Sequence, residues 1–550
     1  MKKLQARNSK IILIGLDGAT FDLLKPLINE NKLPNLKKLI LAGAAGKLQS
    51  TIPCTTPVAW STVYTGKNPG GHGIFDFRES YHRDQQRTLI SQDSINGAKI
   101  WQILNNHNKM TILLNLPMTY PPEPVDGLMI SGMMTPSKDS AFTYPPEFKD
   151  ELLSVIPDYS INIDIPKYDT TYKEDCLKFL GELQKSFEKR KELLRYLITN
   201  KEWDFLFAVF ILPDRIQHLF WKYLDPADDS FRKTRDGGII YDRIIELYQL
   251  QDEMLGEINA LLGKDDYLFI ISDHGFGGTK AYINVNKLLE DWGYLRLKKR
   301  ANFNRAFFKL WDFGDSRIGK IIVPKFVQRF IRRAIRKTRG SFKTDVEKHI
   351  EFTHTKAFFA SIPSQGIYVT ANGAEYDSVR SDIKHKLLEL RDEKTGKKIV
   401  DRVYFREELY SGPFVKDAPD IIFVANNYAY LGRQHIGSDQ AITHCADKPI
   451  GFHRPNGIFV SRGPDIRVNT CFDGLSLQDI APTILYSIDL PIPQDMDGKV
   501  FTQIFVSERT AESPVLTESN TDSSVHTAKV YSSEDSREIK RRLKSLGYIE

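Results

Sequence analysis

At 550 residues the chain is long enough for one large domain with insertions or for two domains, and its 41% hydrophobic content is that of a globular protein. No run reaches the roughly 18 apolar residues of a membrane-spanning helix, and the basic start Met1-Lys2-Lys3-Leu4 lacks the cleavage site of a signal peptide, so the expected location is cytoplasmic. The net charge of +6 is modest, and four scattered cysteines, Cys54, Cys176, Cys445 and Cys471, support neither a disulfide framework nor a thiolate metal site.

In chain order, Lys10 to Leu16 is a continuous apolar run, the pattern of a strand covered on both faces, and it stops at Asp17-Gly18 before a helical stretch from Ala19 to Ile28. Strand, acidic residue and helix in that order open a doubly wound α/β sheet. Leu33 to Ala42 supplies another helix, Trp101 to Asn106 a helix end, and Met110 to Leu116 the next strand. Pro117 to Pro166 is rich in Pro, Asp and Ser and reads as an excursion from the sheet. Tyr172 to Thr199 has the spacing of a long amphipathic helix. Phe205 to Leu212 is a second buried strand, leading into Asp214 and His218; Ile240 to Leu262 is helical; Tyr267 to Ile271 is a third buried strand, ending in Ser272-Asp273-His274-Gly275.

Between Arg296 and Lys343 sixteen Lys and Arg stand against two acids, Asp312 and Asp315, with Phe326, Phe330 and Ile331 interleaved. Such a basic amphipathic insert suits peripheral contact with an anionic membrane, or a lid with a solvated basic face. No reading motif accompanies the charge, so no nucleic acid partner is expected. Strands follow at Gly366 to Thr370, Ile421 to Val424 and Gly457 to Val460, and a helix at Pro482 to Ser487. The stretch from 507 to 535 is rich in Ser, Thr and Glu and reads as a flexible linker before a C-terminal helix over 536–550.

Two features carry chemistry. In Ser50 to Phe77, Pro53 and Pro57 bracket Thr55 and Thr56, so a turn presents a hydroxyl at a helix start, where unpaired N–H groups welcome a phosphate; a plain helix cap is the alternative. Cys54, two residues away, is the other nucleophile to weigh, against the commoner role of a buried structural thiol. Second, three strand runs end in Asp17, Asp214 and Asp273, which such a sheet brings to one crevice. Asp214 and His218 lie four apart on one helical face, and Asp273 and His274 are adjacent where strand alternation breaks. Carboxylates and imidazoles together suit Zn²⁺ or Mn²⁺, and crowded carboxylates need cations.

The combination Gly15-Leu16-Asp17-Gly18, Thr56-Pro57-Val58-Ala59-Trp60 through Thr65-Gly66, Pro69, His72-Gly73-Ile74, Asp214 with His218, Ser272-Asp273-His274-Gly275 and Gly451-Phe452-His453-Arg454 resembles the alkaline phosphatase superfamily. Its type I phosphodiesterase/nucleotide pyrophosphatase branch is the one resembled, over about Lys10 to Val506. The resemblance implies an α/β, alkaline-phosphatase-like three-layer sandwich with a mostly parallel central sheet, helices on both faces and inserted cap segments. It implies two divalent metal ions, zinc by family expectation with manganese as the alternative: one on Asp214, His218 and His453, the other on Asp17, Asp273, His274 and the Thr56 oxygen. It also selects Thr56 as nucleophile over Thr55, because Thr65 of the Thr-Gly pair stands nine residues beyond it. The family's phosphate-binding Asn position is Phe77 here, so Arg78 is the expected substrate-binding residue, and nucleotide substrates are in question. The sulfatase motif, Cys or Ser followed by x-Pro-x-Arg, is absent.

The expected organisation is a catalytic domain over 1–295 and 344–506 with a cap-like excursion about 117–200, the basic insert 296–343, the linker 507–535 and the C-terminal helix. The expected function is metal-dependent hydrolysis of phosphoesters through a phospho-threonine intermediate. Phosphoryl transfer to a lipid or glycan head group at a membrane surface is the alternative, and a non-catalytic binding module the reading from another class.

Overall fold

The computed structural model describes residues 9–81, 87–161, 168, 170–298, 346–436, 440–445, 450–519, 530–545 and 547–548. The basic stretch expected over 296–343 lies outside the described residues except for Arg296, Leu297 and Lys298. The chain divides into two compact units, one made of 1–278, 410–418 and 449–542, the other of 279–409, 419–448 and 543–550.

The first unit is built on a nine-stranded sheet. Its strands are β1 (Ile11–Leu16), β2 (Ala44–Gln49), β3 (Thr111–Leu116), β4 (Gly127–Ser131), β5 (Thr143–Tyr144), β6 (Phe205–Phe210), β7 (Tyr267–Ile271), β8 (Asn456–Arg462) and β9 (Thr470–Ser476), in the order β9-β2-β8-β7-β1-β6-β3-β4-β5. The pairs β7-β1, β1-β6, β6-β3 and β3-β4 are parallel, as is β9-β2, while β8 runs antiparallel to both neighbours. Every residue of β1, β3, β6 and β7 is buried, so both faces of the sheet centre are covered, as the unbroken apolar runs require. Helices Pro34–Ala42, Lys173–Asn200 and Leu212–Leu224 pack against Arg235–Leu261; helices Ile100–Asn106 and Ile480–Ser487 pack against Thr56–Thr65.

Of the excursion expected from 117, residues 162–167 lie outside the described residues, and Gly127–Ser131 joins the sheet. Leu128, Met129 and Ile130 pair in parallel with Ile112, Leu113 and Leu114 and carry the sheet outward, a strand too short to stand out among flanking prolines. The long helix Lys173–Asn200 likewise lies along the sheet, its buried Arg190 donating to the Val209 carbonyl of β6 at 3.4 Å and to Ile161 at 3.1 Å.

Of the linker expected over 507–535, residues 520–529 lie outside the described residues; before them helix Ser507–Glu512 forms and Thr517–Glu518 pairs with Ile492–Pro493. The cause is Arg509, which is buried, donates to Asp489 at 2.7 Å and lies 3.2 Å from Asp465, so one cation anchors a polar segment. Beyond residue 529 the helix is Ser533–Ser545, with Ile539 and Leu543 buried.

The second unit holds a separate sheet in the order Ala357–Ser361, Gly366–Val369, Ile421–Ala425, Tyr430–Arg433, Ala281–Asn284 and Ile442–His444, with Val400–Phe405 also paired to Ile421–Ala425. The change of sheet falls after Gly278 rather than at 295, because Ala281–Asn284 pairs in parallel with Tyr430–Arg433.

One close approach in the first unit fixes the sheet against the helix that follows the Ser50 turn. A Cβ at Gly15 would stand 2.4 Å from the Trp60 ring and 2.9 Å from Val209. Gly15→Ala should therefore overpack this contact and cost about 1–3 kcal/mol, read as a lower thermal unfolding midpoint. An unchanged midpoint would mean that Trp60 is not held as described.

Candidate metal centre

The strand order decides what meets at the site. Because β1 lies between β6 and β7, the residues that leave these strands at their C-terminal ends become neighbours. Asp17 follows β1 directly, its N–H donating to the Phe210 carbonyl at 3.0 Å. Gly18 then turns with φ +73°, a conformation favouring glycine, and its N–H donates to Asp273 Oδ1 at 3.2 Å. Asp214 and His218 lie one turn apart on helix Leu212–Leu224, with Oδ1 and Nε2 3.2 Å apart. His453 arrives from 180 residues further on in strand Gly451–Arg454, which pairs antiparallel with Gly275–Gly278 and sets His453 opposite Phe276.

These groups form two adjoining sets. Asp214 Oδ1, His218 Nε2 and His453 Nε2 are 3.1–3.6 Å from one another. His274 Nε2 lies 3.2 Å from Asp273 Oδ2, 3.6 Å from Asp17 Oδ1 and 3.4 Å from the Thr56 hydroxyl. The sets touch where the His274 and His453 rings stack, centroids 3.6 Å apart. All seven side chains are buried.

Each imidazole is oriented by a backbone carbonyl. Nδ1 of His218 donates to Gly451 at 3.2 Å, that of His453 to Cys54 at 2.9 Å, and that of His274 to Gly275 at 3.1 Å. This tautomer turns each Nε2 lone pair toward the carboxylates, the arrangement that metal-ligating histidines use. The Nε2 atoms of His218 and His453 lie 3.1 Å apart, close enough to serve one ligand.

The carboxylates point the same way. Burial, then the proximity of other carboxylates, pushes Asp17 and Asp273 well above the usual carboxyl range. Asp17 Oδ1 and Asp273 Oδ2 are buried without a hydrogen-bond partner. Burial would also raise Asp214, but His218 and Arg215 outweigh it and hold that carboxyl well below its ordinary value. His274 and His453 are pushed down, His453 to about 4, burial being the largest cause for both. Neutral imidazoles, hard oxygen donors and two orphaned carboxylate oxygens fit divalent cations of the zinc and manganese kind.

Thr56 is the first residue of helix Thr56–Thr65, all of whose residues are buried. Thr55 holds the N-cap position in extended backbone but makes no cap hydrogen bond, and its hydroxyl is buried without a partner. The helix start thus receives no side-chain acceptor from the cap. Trp60, one turn on, donates from Nε1 to Asp17 Oδ2 at 3.2 Å and rests against Phe207 of β6. Burial pushes the Cys54 thiol up to about 12, so its thiolate is scarce near neutrality.

Arg78 is buried and pairs through its backbone with Leu89. Two residues near the donors went unread in the sequence. Arg215 is buried and donates to Asp214 Oδ2, leaving Oδ1 to face the histidines. Phe276 lies edge-on to His218 at 4.8 Å and 5.4 Å from His453. A cation following Asp214 was a visible signal; Phe276 gave none.

A mostly parallel sheet with this buried carboxylate–imidazole cluster at its strand ends defines an alkaline-phosphatase-like protein. Residues 11–447 match the type I phosphodiesterase / nucleotide pyrophosphatase family, and the chain belongs to it. It is accordingly a phosphoester hydrolase. No curated protein sequence matches it significantly. Among solved structures it is similar to phosphonoacetate hydrolase from Sinorhizobium meliloti 1021 in complex with phosphonoformate, at 15% identity and a TM-score of 0.52, covering 88% of this chain and 97% of that one. It is also similar to murine ectonucleotide pyrophosphatase / phosphodiesterase 5, at 12% identity and a TM-score of 0.48, covering 90% and 100%.

Cys54→Ala removes the thiol and keeps the carbonyl that orients His453, so turnover should stay within about threefold of the parent. A loss of about a thousandfold would restore Cys54 as a reacting group.

Proposed function

We propose that the protein cleaves phosphoesters by two successive displacements at phosphorus through Thr56. The observation that supports this most is the Thr56 hydroxyl itself: fully buried, not used as a cap, and 3.4 Å from His274 Nε2 beside two carboxylates. Two divalent cations, held by Asp214, His218 and His453 and by Asp17, Asp273, His274 and Thr56, would supply the positive charge that activates the hydroxyl and offsets the phosphoryl oxygens.

Thr56 Oγ gives up its proton and attacks phosphorus, the bond to the departing oxygen breaks, that oxygen takes a proton to leave as the alcohol, and the phosphoryl group rests on Thr56. Water then displaces Thr56, so one water is consumed and the alcohol and the phosphate are released. Unpaired first-turn N–H groups of the helix would donate to phosphoryl oxygens, as helix starts do. Trp60 holds Asp17, and the Cys54 carbonyl holds His453, so the donors need not reorganise as charge develops. Arg78 is the proposed contact to a substrate oxygen.

Thr56→Ala should lower turnover of bis-p-nitrophenyl phosphate by at least about a thousandfold while metal content, read by plasma emission, stays that of the parent. A fully active variant would refute the assignment, and metal-free protein of full activity would refute the cations.

The substrates proposed are small phosphate esters in the cytoplasm. The charge of 296–343 favours a second reading, transfer of the phosphoryl group to a lipid or glycan alcohol at an anionic membrane. The intact protein should then sediment with phosphatidylserine vesicles and a deletion of 299–343 should not; equal sedimentation of the two rejects the membrane role.

A further inference from the structure

The turn that delivers Thr56 is held by its backbone from three distant points. The Ser50 N–H donates to the Pro455 carbonyl at 2.7 Å, and the Cys54 carbonyl accepts from His453 Nδ1 at 2.9 Å. Between them, the Ile52 carbonyl accepts from the Tyr410 hydroxyl at 2.6 Å. Tyr410 begins a short strap, residues 410–418, that belongs to the first unit although the chain on both sides of it belongs to the second.

The strap is itself tightly fixed. The Tyr410 ring is buried and lies 5.4 Å from that of Phe75. Asn68 accepts from the Ser411 N–H at 3.1 Å and donates to the Ser411 hydroxyl at 3.0 Å. The Phe414 N–H donates to the Gly70 carbonyl at 3.0 Å. At Gly412, φ is +113° and a Cβ would stand 2.7 Å from that same carbonyl, so the strap follows a path favouring glycine. The direction of the Tyr410 hydroxyl is therefore set before it meets Ile52.

From Ile52 the way to the nucleophile is short and stiff. The Thr51 hydroxyl and the Thr55 N–H both donate to the Pro53 carbonyl, at 2.7 and 3.2 Å. A displacement at Ile52 is passed on to the Thr56 hydroxyl and to the carbonyl that orients His453.

We propose that Tyr410 is a positioning residue for phosphoryl transfer, setting the place of the Thr56 hydroxyl through the Ile52 carbonyl; this rests on Thr56 being the nucleophile. Tyr410→Phe keeps the ring and its packing on Phe75 and removes only the donor. In the full-length metal-loaded enzyme kcat should fall roughly tenfold or more, since small misplacements of a reacting atom are costly in rate. KM should stay within about twofold and the melting midpoint within about 2 °C of the parent, with metal content unchanged. In rapid-quench experiments, formation of phosphorylated Thr56 should slow, since the displaced hydroxyl is the attacking atom of that step.

A kcat within about twofold of the parent overturns the proposal. So does a loss of kcat that runs in step with loss of midpoint and metal, because a merely structural tyrosine would give that. Thr56→Ala in the same assays separates the premises: an active Thr56→Ala enzyme removes the nucleophile and this proposal with it. An inactive Thr56→Ala enzyme beside an unaffected Tyr410→Phe enzyme overturns Tyr410 alone.

Discussion

Three carboxylates buried at the ends of adjacent parallel strands are the constraint around which the first unit is arranged. Asp17 and Asp273 place oxygens within 4.8 Å of each other and of the His274 ring nitrogen, away from water. Two unit charges about 4 Å apart repel by about 4 kcal/mol at an effective dielectric of about 20, and each buried ion carries a desolvation cost of several kcal/mol besides. Arg215 hydrogen-bonds Asp214 and offsets part of the charge of Asp17, yet Asp17 and Asp273 stay well above the usual carboxyl range. His274 and His453, pushed down by burial, add no positive charge near neutrality. Added cations would complete the electrostatics of such a site, and the carbonyls of Gly451, Cys54 and Gly275, each holding an imidazole Nδ1–H, fit that completion.

The surrounding packing serves the same end. Gly15 admits the Trp60 ring to the face of β1, and that ring then reaches Asp17 through its N–H. Gly18 gives Asp273 a backbone donor just beyond it, so the two carboxylates are steered by one tight turn. The helix Thr56–Thr65 is buried throughout, and its position against the sheet is also the position of the Thr56 hydroxyl against the carboxylates and imidazoles. Packing and chemistry cannot be separated here: a change in how Trp60 sits is a change in how Asp17 is held.

What could be read in advance followed from locality. Runs such as Ile11–Leu16 and Tyr267–Ile271 announce themselves because a strand covered on both faces tolerates no polar residue, and the aspartates that end them mark where the sheet stops. Asp214 and His218 were legible as a pair because helical spacing is a local rule. His453 was not legible from spacing, since its place depends on a pairing between Gly451–Arg454 and Gly275–Gly278, and it was found only through family likeness. The short strand Gly127–Ser131 was lost among prolines, and a single buried arginine, Arg509, ordered a segment whose composition suggested none. Arg78 was named by position in a motif, and its backbone pairing with Leu89 neither supplies nor removes a substrate role.

The turn between Ser50 and Thr56 illustrates why family spacing picked the nucleophile more sharply than local physics. Thr55 and Thr56 have the same chemistry and adjoin the same helix start, and capping preference alone does not rank them. The backbone separates them: Thr55 takes the extended conformation of the cap, and Thr56 enters the helix with its hydroxyl against His274. That register is imposed from outside the turn, by Pro455, His453 and Tyr410 binding alternate parts of its backbone. Each of these partners is more than 350 residues away in sequence, so no window around Thr56 contains them. The place of the Thr56 hydroxyl beside His274 thus joins a local proline-bracketed turn, which offers two hydroxyls, to remote backbone contacts that hold that turn.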